Sequence, residues 1–104
     1  MRKRNTNAGG GDWTKEEIDA VWRKAKAVEG YDPDFIRQDP CDTWIRYSEH
    51  GENVANGFGW EIDHIKPVAK NGTDDVANLQ PLQWENNRKK ADDWPSWKCA
   101  KIAT

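Results

Sequence analysis

Four polar positions in the second half of the chain stand in an order that could do chemistry. They are Asp63-His64, Asn78 and Asn87, the last running directly into Arg88-Lys89-Lys90. A neutral imidazole can take a proton from water near neutral pH, so His64 has the right chemistry for a general base. Carboxylate and carboxamide oxygens, such as Asp63 and Asn87 carry, suit a hard cation. A run of lysine and arginine suits phosphate oxygens. Taken singly, each has a plainer role as a hydrogen-bonded histidine, a surface carboxylate, a helix cap or a solvated helix face. The ordered set says more: Asp63-His64-Ile65 then Pro67, Asn78-Leu79, and Asn87-Arg88-Lys89-Lys90, with 14 residues from His64 to Asn78 and 9 from Asn78 to Asn87. His50, in a turn-rich loop outside the set, is not assigned to it.

The elements that must position these residues can be read from periodicity. Trp60, Ile62 and His64 alternate with Glu61, Asp63 and Ile65, as on a half-buried strand, and Pro67 ends it. Asn71-Gly72 and Thr73-Asp74-Asp75 build a loop, Asn78-Leu79-Gln80 begins a second strand, and a helix is expected over about 85–92, with Asn87 in its first turns. The positive end of a helix dipole there favours a phosphate. Asp63 and His64 are neighbours, so a regular strand points them to opposite faces. Both serve one site only where the strand ends or distorts, which Pro67 makes plausible.

Upstream, Thr14 and Glu17 form a capping box, with Trp13 placed to staple onto Ile18. Ile18, Val21, Trp22, Ala25 and Val28 recur on one helical face until Gly30, giving a long helix that braces the core. Asp32-Pro33 opens a short helical turn through Phe35 and Ile36, which Asp39-Pro40 ends. Thr43 to Tyr47 reads as a strand, and Ser48 to Gly59 as a loop. Residues 1–11 read as a flexible basic tail, whose Arg2, Lys3 and Arg4 could at most make a loose phosphate contact.

The segment 60–93 resembles the HNH endonucleases, a family with the ββα-metal (His-Me finger) fold. The resemblance rests on the ordered set above, with Asn87 where many members have His. A weaker echo extends upstream through Cys41, Trp44-Ile45-Arg46 and Gly59-Trp60. It implies an α+β protein: a small ββα-metal core at about 59–93, within a nuclease domain spanning 12–104, and an added N-terminal helix. It implies a metal-dependent endonuclease hydrolysing DNA phosphodiester bonds, with His64 as general base and Asn78 tying the hairpin loop beside it. Asp63 and Asn87 would hold one divalent ion, Mg²⁺ or Mn²⁺, and Arg88, Lys89 and Lys90 would contact DNA. A catalytically inactive nucleic-acid-binding module on the same fold is the alternative. Many members carry a structural zinc on two Cys-x-x-Cys pairs. Here one pair's positions read Gln83-Trp84-Glu85-Asn86, so no structural zinc is expected, and Trp60, Trp84 and the first helix are expected to replace it by packing.

The whole chain bounds the rest. With 104 residues it supports one domain. Seven tryptophans against 33% charged residues argue for a small packed core rather than disorder. A net charge of −2 gives no global pull toward nucleic acid, so DNA affinity must come from local cations and a bound metal. There is no apolar run of membrane-span length, and Met1-Arg2-Lys3-Arg4 leads into no hydrophobic segment. No membrane association and a cytoplasmic setting are therefore expected, and a reducing compartment favours free thiols at Cys41 and Cys99 over a disulfide between them. Without a heptad seam, a monomer that nicks duplex DNA with low specificity is expected. An exposed Trp94 or Trp97 could stack on a base.

Overall fold

A computed structural model describes residues 3–100; Met1, Arg2 and the last four residues lie outside the described part. The element order is α1 (Lys15–Trp22), β1 (Ile36–Gln38), β2 (Trp44–Arg46), β3 (Trp60–His64), β4 (Leu79–Gln83) and α2 (Trp84–Lys90). Short 3-10 turns follow β2 and punctuate the β3–β4 loop. The strands form two separate antiparallel pairs, β1–β2 and β3–β4. This is a small α+β fold.

Helix α1 starts where its cap dictates. Glu17 N–H donates to Thr14 Oγ1 and Thr14 N–H to Glu17 Oε1, which satisfies two otherwise orphaned donors. The helix stops at Trp22, well short of Gly30. Past Ala25 the backbone is claimed by the sheet: Lys26 and Gln38 exchange hydrogen bonds of 2.7 and 2.9 Å, extending the β1–β2 pair. Ala25 still reaches the core, so the apolar period outlasts the helix by a turn. The turn at Asp32-Pro33 forms as expected, but Ile36 leaves it to begin β1.

The core gathers Trp13, Val21, Trp22, Ala25, Ile45, Trp60, Ile62 and Leu79. Trp22 and Trp60 meet at 5.4 Å between ring centroids, a contact that adds to their area burial. Strand β3 differs from the half-buried expectation, because all five of its residues are buried. Trp60 and Ile62 face the core beneath α1, while Glu61 and Asp63 face α2. A strand covered on both sides has no solvent face.

Asp39 links the two halves. Its Oδ1 accepts the Cys41 and Thr43 N–H groups, and its Oδ2 accepts Gln83 N–H and Asn86 Nδ2. The β1–β2 turn is thereby tied to the start of α2. Burial pushes the Asp39 carboxyl above its ordinary range, against the pull of those hydrogen bonds. Beside it, Cys41 and Cys99 form a disulfide, Cα atoms 5.9 Å apart, correcting the expectation of free thiols. That expectation rested on a reducing compartment, whereas the folded chain brings two residues 58 positions apart within bridging distance. Trp60 packs centrally, but Trp84 is only half-buried, its ring under the Arg88 guanidinium at 4.6 Å.

The N-terminal residues are also better fastened than a flexible tail. Thr6 is buried, Asn5 Oδ1 accepts the Ile62 N–H at 2.8 Å, and Ala8 N–H donates to Asp74. No helix among the described residues is long and apolar enough to cross a membrane.

Candidate active site

The β3–β4 hairpin sets the geometry. Trp60 pairs with Gln83 and His64 with Leu79, with the register unbroken between them. The loop beyond His64 is closed by Asn78. Its Oδ1 accepts Lys66 N–H at 2.8 Å, and its Nδ2 donates to the Lys66 and Thr73 carbonyls at 3.1 and 2.8 Å. A single amide satisfies three backbone groups of the loop that follows the histidine. Gly72 permits this closure, because a Cβ there would lie 1.6 Å from the Lys66 carbonyl oxygen. Helix α2 then crosses the hairpin, with Gln83 capping it by accepting the Glu85 and Asn86 N–H groups.

Asp63, His64 and Asn87 come together on one cavity of about 440 Å³, which Lys3, Arg4, Ile62, Ala91 and Asp92 also line. Asp63 and His64 both line it although β3 is regular, with His64 as the last strand residue. His64 is almost fully buried; its Nε2 lies 2.8 Å from Asp74 Oδ1, and its ring packs on Trp13 at 5.5 Å. A carboxylate on one ring nitrogen fixes the tautomer and the ring plane.

Asp63 lies between two donors. Gln80 Nε2 donates to its Oδ2 at 2.9 Å, and Lys90 Nζ lies 3.2 Å from Oδ2 and 3.4 Å from Oδ1. Burial pushes the Asp63 carboxyl above its ordinary range, while Gln80 and Lys90 pull it back. Lys90 also donates to the His64 carbonyl at 3.0 Å and has no solvent exposure. This corrects its grouping with the DNA contacts: its position on α2 points it inward, where it serves as counter-charge to Asp63. Arg88 and Lys89 do lie exposed.

Asn87 Nδ2 donates to Glu61 Oε1 at 2.9 Å. An ionised carboxylate only accepts, so this bond orients the amide and leaves Oδ1 as its acceptor atom. The sequence does not mark Glu61, Asp74 or Gln80 as site residues, and it offers Lys3 and Arg4 only as a loose phosphate contact. Glu61 alone had a readable signal, since it lies two residues before Asp63 and so on the same strand face.

Asp63 and Asn87 offer oxygen ligands of the kind a hard divalent ion takes, while the Lys90 ammonium already against Asp63 would compete with such an ion. Among the described residues no group of three or more His, Cys, Asp or Glu side chains could hold a metal. Such an ion would keep most of its coordination for water or substrate oxygens. Trp94 is exposed with Lys66 Nζ 5.2 Å from its ring centroid, and Trp97 is half-buried.

A hairpin crossed by a helix, with a histidine, a carboxylate and an amide on one cavity, has the makings of a hydrolytic phosphate site. A family model described as HNH endonuclease matches residues 49–93. The match runs from Glu49, the last residue of the 3-10 turn after β2, through both strands of the hairpin and all of α2. No curated protein and no solved structure matches the chain. The match suggests a nuclease or nucleic-acid-binding function for that segment.

Proposed function

We propose that this protein is a divalent-metal-dependent endonuclease that hydrolyses DNA phosphodiester bonds, nicking duplex DNA as a monomer with low sequence specificity. The observation that supports it best is the convergence of Asp63, His64 and Asn87 on one cavity within the HNH segment.

With its Nε2 proton directed at Asp74, His64 presents the Nδ1 lone pair as the base that takes a proton from the attacking water. Asp74 stabilises the imidazolium formed, much as a carboxylate orients histidine in other hydrolytic sites. Asn78 holds the loop after His64 in one conformation, so the base keeps its position. Asp63 and Asn87 would hold a divalent ion, Mg²⁺ or Mn²⁺, and that ion would supply Lewis-acid stabilisation to the phosphate and its leaving oxygen. Glu61 keeps the Asn87 carbonyl available for that role. Exposed Arg88 and Lys89 contact flanking phosphates.

The test is incubation of supercoiled plasmid with wild type and His64→Ala, in Mg²⁺, Mn²⁺ or EDTA. Open-circle DNA should appear before linear DNA with wild type and metal. It should not form in EDTA or with His64→Ala, while that variant keeps its metal affinity. DNA binding without cleavage in any metal would leave a binding module on the same fold.

A further inference from the structure

We propose that the N-terminal arm is part of this site, with Lys3 and Arg4 clamping a phosphate of the DNA strand over the cavity; the proposal rests on the nuclease reading above. The arm is fastened at both ends of the short stretch that follows these cations. Asn5, with φ 58°, turns the chain so that its Oδ1 accepts the Ile62 N–H of β3 at 2.8 Å, and His50 Nε2 lies 3.0 Å from the same oxygen. Three residues on, Ala8 N–H donates to both oxygens of Asp74, at 3.0 and 3.2 Å. That carboxylate is the one that holds His64. Between the two anchors Thr6 is buried, and its hydroxyl donates back to the Lys3 carbonyl. The arm is therefore strapped to the catalytic strand and to the partner of the catalytic histidine.

This strap brings Lys3 and Arg4 to the cavity that Asp63, His64 and Asn87 line. Both are exposed, and among the described residues neither forms an ion pair with a carboxylate. Lys90, the third cation near the site, is buried against Asp63 and cannot reach a ligand in the same way. Two unpaired cations beside a general base, in a chain of net charge −2, form a local anion site that the overall charge does not provide. A phosphodiester bound there sits within reach of His64. Arginine's planar fork suits two phosphate oxygens at once, and lysine adds a point charge.

The experiment compares wild type, Lys3→Gln/Arg4→Gln and Asn5→Ala on a short labelled duplex. Affinity is measured in EDTA across a salt series, and single-turnover cleavage with Mn²⁺. Because both cations are exposed, the double variant should fold normally, as its thermal melt will show. Its slope of log affinity against log salt should fall by about 1–2, as expected for one or two lost phosphate contacts. Its cleavage rate should fall by roughly 100-fold, comparable to losing a donor at the reacting centre. Asn5→Ala keeps both charges but frees the strap, so cleavage should fall at least about tenfold while the salt slope changes little. Wild-type slope and rate in the double variant would overturn the clamp, and a wild-type rate in Asn5→Ala would overturn the role of the strap. If wild type cleaves nothing, the nuclease reading fails. The salt slopes then decide the arm contact by themselves, and equal slopes overturn it.

Discussion

Replacing Lys90 with methionine keeps the volume of a long side chain but removes the charge buried against Asp63. Lys90 is 0% exposed and Asp63 7%, with the ammonium 3.2 Å from one carboxylate oxygen and 3.4 Å from the other. Breaking a buried pair by deleting one partner costs about 3–5 kcal/mol, because the remaining charge is stranded. Gln80 still donates to Asp63 and the carboxylate borders the cavity, so the low end applies, about 3 kcal/mol. For a domain of this size that corresponds to a fall in Tm of roughly 12–20 °C. The pH dependence has a definite sign. Burial already holds the Asp63 carboxyl above its ordinary range, and losing Lys90 raises it further. The deficit should therefore vanish below the ordinary carboxylate value, where both states are protonated, and reach full size once pH exceeds the raised folded value. A divalent ion on Asp63 replaces the missing charge, so at 100 times its Kd it should restore about 2.7 kcal/mol to the variant. The same substitution removes a competing cation, so Mn²⁺ should bind the variant more tightly than wild type. Urea unfolding at pH 4 and pH 7, with EDTA or Mn²⁺, together with calorimetric titration, measures all of this. A variant within about 1 kcal/mol of wild type in EDTA at pH 7 would refute the reasoning. So would additive effects of Asp63→Asn and Lys90→Met in a double-mutant cycle.

Asn86→Ala and Asn87→Ala should separate cleanly. Asn86 is fully buried and bonds Asp39, Thr43 and Ala100, so its loss should cost about 2 kcal/mol or more in urea unfolding. Asn87→Ala should instead weaken Mn²⁺ binding in calorimetry, and equal effects of the two on metal affinity would mean the helix register is misassigned. Ala91 closes α2 with φ 47° and ψ −125°, a conformation that costs an L-residue of order 1 kcal/mol. Ala91→Gly should therefore raise stability by about that amount, and a lower Tm would exclude strain at this position. Reducing the Cys41–Cys99 bond releases a 58-residue separation and should lower stability by up to about 4 kcal/mol on the chain-entropy account. An unchanged urea midpoint in dithiothreitol would rule that out.

Local rules carried the sequence reading where they dominate. The Thr14–Glu17 capping box, the hairpin from Trp60 to Gln83, and Asn78 bonded across its own loop all depend on residues close together in the chain. The sequence also identified the ordered set Asp63, His64 and Asn87, because the spacing within one hairpin and the helix after it is short enough to be read directly. Tertiary structure decided what depends on distant partners. Helix α1 ends at Trp22 although its apolar period continues, because the β1–β2 pair takes up Lys26 as a third edge. In the sequence Asp39 reads only as the end of a short helical turn, because two of the four donors that surround it, Gln83 and Asn86, lie more than 40 residues away. Cys41 and Cys99 were read as free thiols, since pairing requires Cα positions that no local pattern reveals. Lys90 looked like one of three equivalent cations; helical rotation turns it inward while Arg88 and Lys89 face out, and only the packing of α2 on β3 shows that Asp63 receives it. Lys3 and Arg4 read as a loose tail because nothing near them in sequence could hold them. What fastens the arm just after them, at Asn5 and Ala8, is a backbone N–H of β3 and the carboxylate beside His64, groups that only the folded chain brings to it.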